Sequence, residues 1–271
     1  MFYLYKYNYY GNDTSRLEVE KMYTKTEILN IAKQQFALDY NCQLLDFEKD
    51  GNTITENKLL DGRRIYESDG CFLKIITIGG RAIICADDKI RPWIEEKILK
   101  RDACWLFDYD KLRAIDNKLR EFGHEIDQMP HFYLPNSVNC ETKPITKIKW
   151  FEMEDILQFQ GDDRFDEAFM FNDNYPDVLG VAAFDGDIIM GMAGASADSK
   201  TLYQIGINVL PEYNGRGIGI NLVALIKQEL LNRGKIPFYG TAVSHIISKN
   251  IAISAGFFPA WAEMYSRKIE D

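Results

Sequence analysis

Basic residues are in short supply. The 271 residues hold 32 Lys and Arg against 41 Asp and Glu, a formal net charge of −9 with histidine neutral. A chain that grips a phosphate backbone needs a basic face, so nucleic acid is not an expected partner. Long apolar runs are also missing. No stretch approaches the roughly 18 consecutive apolar residues of a spanning helix, and Met1 to Tyr10 is aromatic and polar rather than basic then apolar. The expectation is a soluble, cytoplasmic protein with no membrane partner. The five cysteines (Cys42, Cys71, Cys85, Cys104, Cys140) form no CxxC pair, and a chain this long buries a core without cross-links. They are expected to be reduced thiols, mostly buried. With only three histidines (His124, His131, His245) and no HExxH or Cys/His cluster, no metal site is expected.

An apolar fraction of 46% is ordinary for a globular chain and allows one or two domains. Met129 to Pro144 carries three prolines, Asn136, Ser137 and Asn139 without apolar periodicity, and reads as a domain connection. Residues 1–135 are therefore expected to form a mixed α/β accessory domain, and residues 145–271 a second domain. In the first, Thr24 and Glu27 make a capping box ahead of a helix holding Ile28, Ala32 and Phe36. Phe72–Ile78 and Ala82–Ala86 read as a hairpin through Gly79 and Gly80. Pro92 suits a helix start, and Leu112, Ile115, Leu119 and Phe122 mark another helix stopped by Gly123. Nothing in this half carries recognisable chemistry.

The second half reads as a strand at Ile145–Phe151, two short helices, and strands at Val178–Phe184, Ile188–Gly194 and Thr201–Val209. Pro211 ends the last of these. Ile218, Leu222, Leu225, Ile226 and Leu230 then form one face of a helix closed by Gly234. A strand at Ile236–Val243, a helix at Ser248–Ala255 ended by Gly256, and a strand at Ala260–Arg267 complete the order. The informative segment is the turn Asn214, Gly215, Arg216, Gly217, Ile218, Gly219 between strand and helix. Glycines let the main chain approach a ligand, and a helix start offers N–H groups to phosphate oxygens. A P-loop is excluded, because no lysine lies between Lys200 and Lys227. A dinucleotide loop is excluded too, since the third glycine of GxGxxG would fall on Ile220 or Leu222.

This segment resembles the GNAT superfamily of acetyl-CoA-dependent N-acyltransferases, whose pyrophosphate turn reads Arg/Gln-x-x-Gly-x-Gly/Ala after a strand ending Val-x-Pro. Val209, Pro211, Gly217 and Gly219 match, while Asn214 stands where the family has arginine or glutamine. The helix carrying Asn250 and closed by Gly256-Phe257 is similar to the family's Asn-containing helix. The likeness runs from about Ile145 to Arg267. It implies a mixed, mostly antiparallel sheet with splayed central strands, and transfer of acetyl from acetyl-CoA to a primary amine of a small molecule by direct attack in a ternary complex. It also implies that Ile207, Val209, Asn214, Gly215, Arg216, Gly217, Ile218, Gly219 and Asn250 hold the cofactor, with the Val209 backbone N–H aimed at the thioester oxygen. The first half resembles the amino-terminal domain of bacterial two-part GNAT proteins. Substrate or dimer contacts are its expected role, with a homodimer left open.

The family's usual acid, a tyrosine four residues before Gly-Phe, is replaced by Ala252, and no carboxylate stands where its glutamate base lies, near Tyr203 and Gln204. A water relay is the expected route for the proton, and Tyr239, Tyr265 and His245 are the substitutes the sequence offers. Asp162, Asp163, Asp166, Glu167, Asp173 and Asp177 read by default as a solvated acidic face, or as a lure for a cationic amine. The missing acid and base leave two alternatives open: a CoA-binding module with reduced catalysis, and a protein-lysine acetyltransferase with a regulatory role.

Overall fold

The computed structural model describes residues 23–136 and 141–270. Its first helix, α1 (Lys25–Asp39), starts where the capping box places it. The Glu27 N–H donates to the Thr24 hydroxyl at 3.2 Å, and the Thr24 N–H donates to the Glu27 carboxylate at 2.8 Å. Ile28, Ala32 and Phe36 recur every fourth residue and are fully buried, so tertiary packing holds this helix more than its propensity does. Strands β1 (Thr53–Glu56), β2 (Leu73–Ile78) and β3 (Arg81–Ala86) follow. The β2–β3 turn is the expected two-glycine hairpin, with Gly79 and Gly80 at φ of 58° and 77°. Helices α2 (Arg91–Lys97) and α3 (Tyr109–Arg120) cover one face, and β4 (His124–Gln128) and β5 (His131–Pro135) close the first half.

The second half runs β6 (Lys147–Glu152), α4 (Met153–Ile156), two single 3-10 turns, β7 (Asp177–Asp185), β8 (Ile188–Ala197) and β9 (Leu202–Val209). It continues with α5 (Ile218–Asn232), β10 (Ile236–Thr241), α6 (Ile246–Ser254) and β11 (Phe257–Lys268). The expected elements are present. The last strand starts three residues earlier than expected, at Phe257, and α6 starts two earlier, at Ile246.

The described strands join in one sheet ordered β1-β3-β2-β11-β5-β10-β9-β8-β7-β6, with β4 paired to β11 off that path. Only β1–β3 and β9–β10 are parallel. The segment read as a domain connection is therefore in part an interior strand. β5 lies between β10 (Tyr133 facing Tyr239) and β11 (Leu134 facing Phe258). Phe132, Tyr133 and Leu134 are buried, a short apolar run of the kind that shows no alternation. Pro130 and Pro135 at its ends gave it the look of a turn. The sheet thus runs unbroken across the boundary expected between residues 135 and 145. Ser137, Asn139 and Cys140 lie outside the described residues.

A buried ion network also spans the two halves. The Arg64 guanidinium donates to Asp39 and to Glu263 at 2.7 Å each, and the Tyr40 and Tyr66 hydroxyls donate to the same Glu263 carboxylate. Each charge is hydrogen-bonded to its partner, which is what makes burial of this kind tolerable. Among the described residues Cys42, Cys71, Cys85 and Cys104 are free; Cys71 and Cys85 are buried, Cys42 is half-buried and Cys104 is exposed.

Without residues 1–140, β10 and β11 would face each other across an empty strand position, and β11 would lose β2 as well. Residues 141–271 expressed alone are expected to show no cooperative thermal transition by circular dichroism, and co-expression with residues 1–140 is expected to restore it. A cooperative melt of the fragment alone would refute this.

Candidate active site

β9 and β10 pair from Leu202 facing Ile236 as far as Ile205 facing Tyr239, and then part. Beyond that point the β9 backbone is still paired on its other side with β8. The Leu210 N–H donates to the Met190 carbonyl at 2.9 Å, so the facing pair Val209–Gly191 is of the non-hydrogen-bonded kind. Its groups, and those of Ile207 two residues earlier, point away from β8 into the gap that β10 has left. Two strand N–H groups and two carbonyls are thus presented to an extended ligand, as at a sheet edge.

The gap leads to the glycine turn. Gly215 and Gly217 hold φ of 75° and 77°, and Gly217 caps α5 from that left-handed conformation. The first helical bond runs from the Asn221 N–H to the Gly217 carbonyl at 3.0 Å. Among the described residues the N–H groups of Gly215 to Ile220 meet no acceptor, so six consecutive donors open at the positive end of a helix dipole. A Cβ built on Gly215 or Gly217 would meet nothing within 4 Å, which leaves room for an anion. Gly219 serves differently. Its Cβ would stand 3.2 Å from Val209 Cγ2, so its absence lets α5 approach β9. Arg216 folds back over the Tyr213 ring and donates to the Glu212 carbonyl at 3.0 Å, while the Asn214 N–H donates to the Pro211 carbonyl.

A loop rests directly on the opposite face of β8 and β9. Gly194 and Gly206 are facing partners there. A Cβ on Gly206 would lie 1.8 Å from the Glu167 carbonyl oxygen, and one on Gly194 would lie 1.9 Å from that of Ala168. The Asn208 side-chain oxygen accepts the N–H groups of Glu167 (3.0 Å) and Ala168 (2.7 Å), and its amide donates to Asp166 at 3.0 Å. Asp177 accepts the N–H groups of Met170 and Phe171, holding Phe171 at a φ of 49°. Phe159, Phe165 and Phe169 pack beneath the loop.

Together these elements wall a cleft of about 680 Å³. One side is Gly206, Ile207, Tyr239, Ser248 and Ile251; the other, from the first half, includes Tyr66, Glu67, Asp127 and Gln128. Five carboxylates line it: Glu67, Asp127, Glu167, Asp177 and Asp198. Its one arginine, Arg64, is already held by Asp39 and Glu263. Burial and then the neighbouring Asp127 and Asp69 charges raise the Glu67 carboxyl above its ordinary range. Burial lifts Asp198 to about 6, opposed by the Ser196 hydroxyl, which donates to it at 2.7 Å.

The structure brings two of the sequence's acid–base candidates together. The Tyr239 and Ser248 hydroxyls are 2.9 Å apart, and the Ser248 N–H donates to His245 Nδ1 at 3.3 Å, which makes His245 the cap of α6. Burial raises the Tyr239 phenol above its ordinary value, so it keeps its proton at neutral pH. Tyr265 also lines the cleft, but its hydroxyl donates to Gln128 and its ring lies 5.0 Å from that of Tyr66, toward the first-half wall. Asn250 is exposed, and α6 contributes Ser248 and Ile251 to the cleft instead. Ala252 is fully buried in the core.

The acidic segment expected to be a solvated face is divided. Asp162 pairs with Arg164 at 2.6 Å, whereas Glu167 and Asp177 reach the cleft. Sequence reasoning gave Glu167 no catalytic place and missed the whole first-half wall. Two glycines inside strands, Gly194 and Gly206, were the available signal, since such glycines mark a close backbone approach.

Residues 143–257 match the family model described as "Acetyltransferase (GNAT) family". These residues form a GNAT acetyltransferase domain. A search of curated proteins found no match. Among solved structures, the chain is similar to a GCN5-related N-acetyltransferase-like protein from Streptococcus suis at 13% identity, covering 89% of this chain and 99% of that one (TM-score 0.43). A GCN5-related N-acetyltransferase from Sphaerobacter thermophilus is 12% identical over 73% of this chain and 77% of that one (TM-score 0.43). The aminoglycoside N-acetyltransferase AAC(6')-Iy, solved with CoA, is 21% identical over 42% and 92% (TM-score 0.33).

Two predictions concern the walls of the cleft. Gly206→Ala should cost about 1–3 kcal/mol in urea unfolding, because its methyl group must displace the Glu167 carbonyl. Asp198 has a folded-state pKa above the ordinary carboxylate value, so the folded chain binds its proton more readily than the unfolded one. That contribution is present below about pH 4 and lost as pH rises through about 6. Asp198→Asn should therefore stabilise the protein by about 1–2 kcal/mol at pH 8, and by less at pH 5, read from paired thermal melts.

Proposed function

We propose that this protein transfers the acetyl group of acetyl-CoA to a primary amine of a small cationic molecule, by direct attack with both substrates bound. The observation that carries the reading is the continuity of the site: outward backbone groups at Ile207 and Val209 lead into six free N–H donors at the glycine turn. The residues present fit CoA. The turn from Gly215 to Ile220 would hold its pyrophosphate, and the gap beside β9 would hold the pantetheine arm as an added strand. Acetyl-CoA supplies an activated acyl carbon and a thiolate leaving group.

The arm must run from the turn back along β9, which puts the reacting carbonyl nearer Gly206 than the turn. Ile207 lines the cleft and Val209 does not, so the Ile207 N–H is the better-placed donor to an oxygen gaining charge. Val209 then serves the arm. Tyr239, protonated and open to the cleft, is suited to give the sulfur a proton, with Ser248 orienting it. The carboxylate lining favours a cationic acceptor. A cytoplasmic setting, where thiols stay reduced, fits the free cysteines.

Calorimetric titration with acetyl-CoA on the wild type and on Gly217→Asp tests the reading. The substitution faces open space, and its left-handed backbone costs about 1–3 kcal/mol, so the variant should fold. Wild-type binding in the micromolar range, lost in the variant, is expected, and absence of wild-type binding would refute the assignment.

A further inference from the structure

An acyltransferase of this kind must take a proton from an incoming ammonium, and β9 offers only Tyr203 and Gln204 near the reacting end. Resting on the acyltransferase reading, we propose that Glu167 accepts this proton and that Asn208 is the residue that positions it.

Glu167 lines the cleft together with Gly206 and Ile207, and its carbonyl rests on Gly206. Its carboxylate is exposed and meets no cation or hydrogen-bond donor among the described residues, so its charge is not already committed. The same charge is felt at Tyr239 across the cleft, where it helps to raise the phenol. The other carboxylates are engaged or remote. Asp177 is spent on the N–H groups of Met170 and Phe171, and Asp166 on Asn208. Asp198 is bonded to Ser196 at the far end of the β8–β9 pair, and Glu67 and Asp127 belong to the first-half wall.

The backbone of Glu167 has little freedom to drift. Its carbonyl is pressed on Gly206, and Asn208, one strand-face neighbour along from that glycine, holds both its N–H and the next. Asn208 does not itself line the cleft but bonds the backbone of Glu167 and Ala168, which do, so it acts through Glu167. In the step itself, the ammonium gives one proton to Glu167 and its freed lone pair forms the C–N bond. The C–S bond breaks, and the sulfur takes the second proton lost by nitrogen, through Tyr239 or water. Glu167 then releases its proton to solvent, leaving amide, thiol and one free proton.

Cadaverine, a flexible diamine suited to an acidic cleft and protonated at neutral pH, and hydroxylamine, unprotonated there, serve as paired acceptors. Glu167→Gln is expected to slow cadaverine turnover by about 10²–10⁴-fold while leaving hydroxylamine turnover within about tenfold and the acetyl-CoA dissociation constant unchanged. Asn208→Ala should lower kcat for cadaverine by on the order of 100-fold. It should also speed amide hydrogen exchange at Glu167 and Ala168, and add nothing in the double variant. Undiminished cadaverine turnover in Glu167→Gln, equal loss with both amines, loss of acetyl-CoA binding, or additive losses in the double variant would overturn the assignment. If the wild type binds acetyl-CoA yet accelerates neither amine, the acyltransferase reading itself falls, and the role of Glu167 with it.

Discussion

The parting of β9 from β10 after Ile205 and Tyr239 is the constraint on which the rest of the site depends. A strand that leaves its neighbour exposes backbone donors and acceptors that must find water or a ligand. β10 can leave because it stays paired on its far edge, where β5 runs alongside it through Tyr239, Gly240 and Thr241. β9 can stay because β8 holds it through Val209. Each strand keeps one complete ladder, and the unpaired edges between them become the place for an extended ligand. A strand from the first half of the chain is thus part of what keeps the gap open, although it lies far from the turn in sequence.

Glycine defines the floor of the site for three separate physical reasons. At Gly215 and Gly217 the left-handed backbone turns N–H groups outward, a conformation other residues adopt only with strain. At Gly219 the want of a side chain brings helix and strand together. At Gly194 and Gly206 it lets a loop lie on a sheet, so that Asn208 can reach two amides and fix the loop. Only the first of these is a matter of ligand binding. The others set distances, and they do so with backbone contacts that leave little play.

Much of the second half was legible because its signals are local. A strand ended by Pro211, a turn with glycines at fixed offsets and an amphipathic helix to Gly234 all fall within a few turns of chain, and the structure repeats them. β5 was not legible, since a half-buried His131 followed by four buried residues, preceded by Pro130 and ending on Pro135, carries no period. β1 and β4 escaped for the opposite reason: Thr53–Glu56 and His124–Gln128 have one apolar residue each and are strands only because β3 and β11 pair with them. Of the site, the donors were readable and the walls were not. Glu167 looked like one carboxylate in a solvated run, and it is the long-range packing of its backbone on Gly206 and Asn208 that sets it in the cleft, whereas Asp163 is exposed without lining it.

Charge shows the same dependence on long-range arrangement. A net −9 spread evenly would say little about a ligand, but this chain removes the one arginine from its cleft by pairing it with two buried carboxylates, Asp39 and Glu263. Had Arg64 been free, it would have offset part of the lining charge. Bound as it is, among the rings of Phe36 and Tyr66, it acts as structure, tying α1 to β11 behind the first-half wall. The wall it supports bears Glu67 and Asp127, whose proximity raises the Glu67 carboxyl by repulsion as well as burial. Arg267, 3.5 Å from Asp127, offsets part of that repulsion. The first half, which carries no recognisable chemistry of its own, thus adds Glu67 and Asp127 to the carboxylates Glu167, Asp177 and Asp198 that the second half brings to the same cleft.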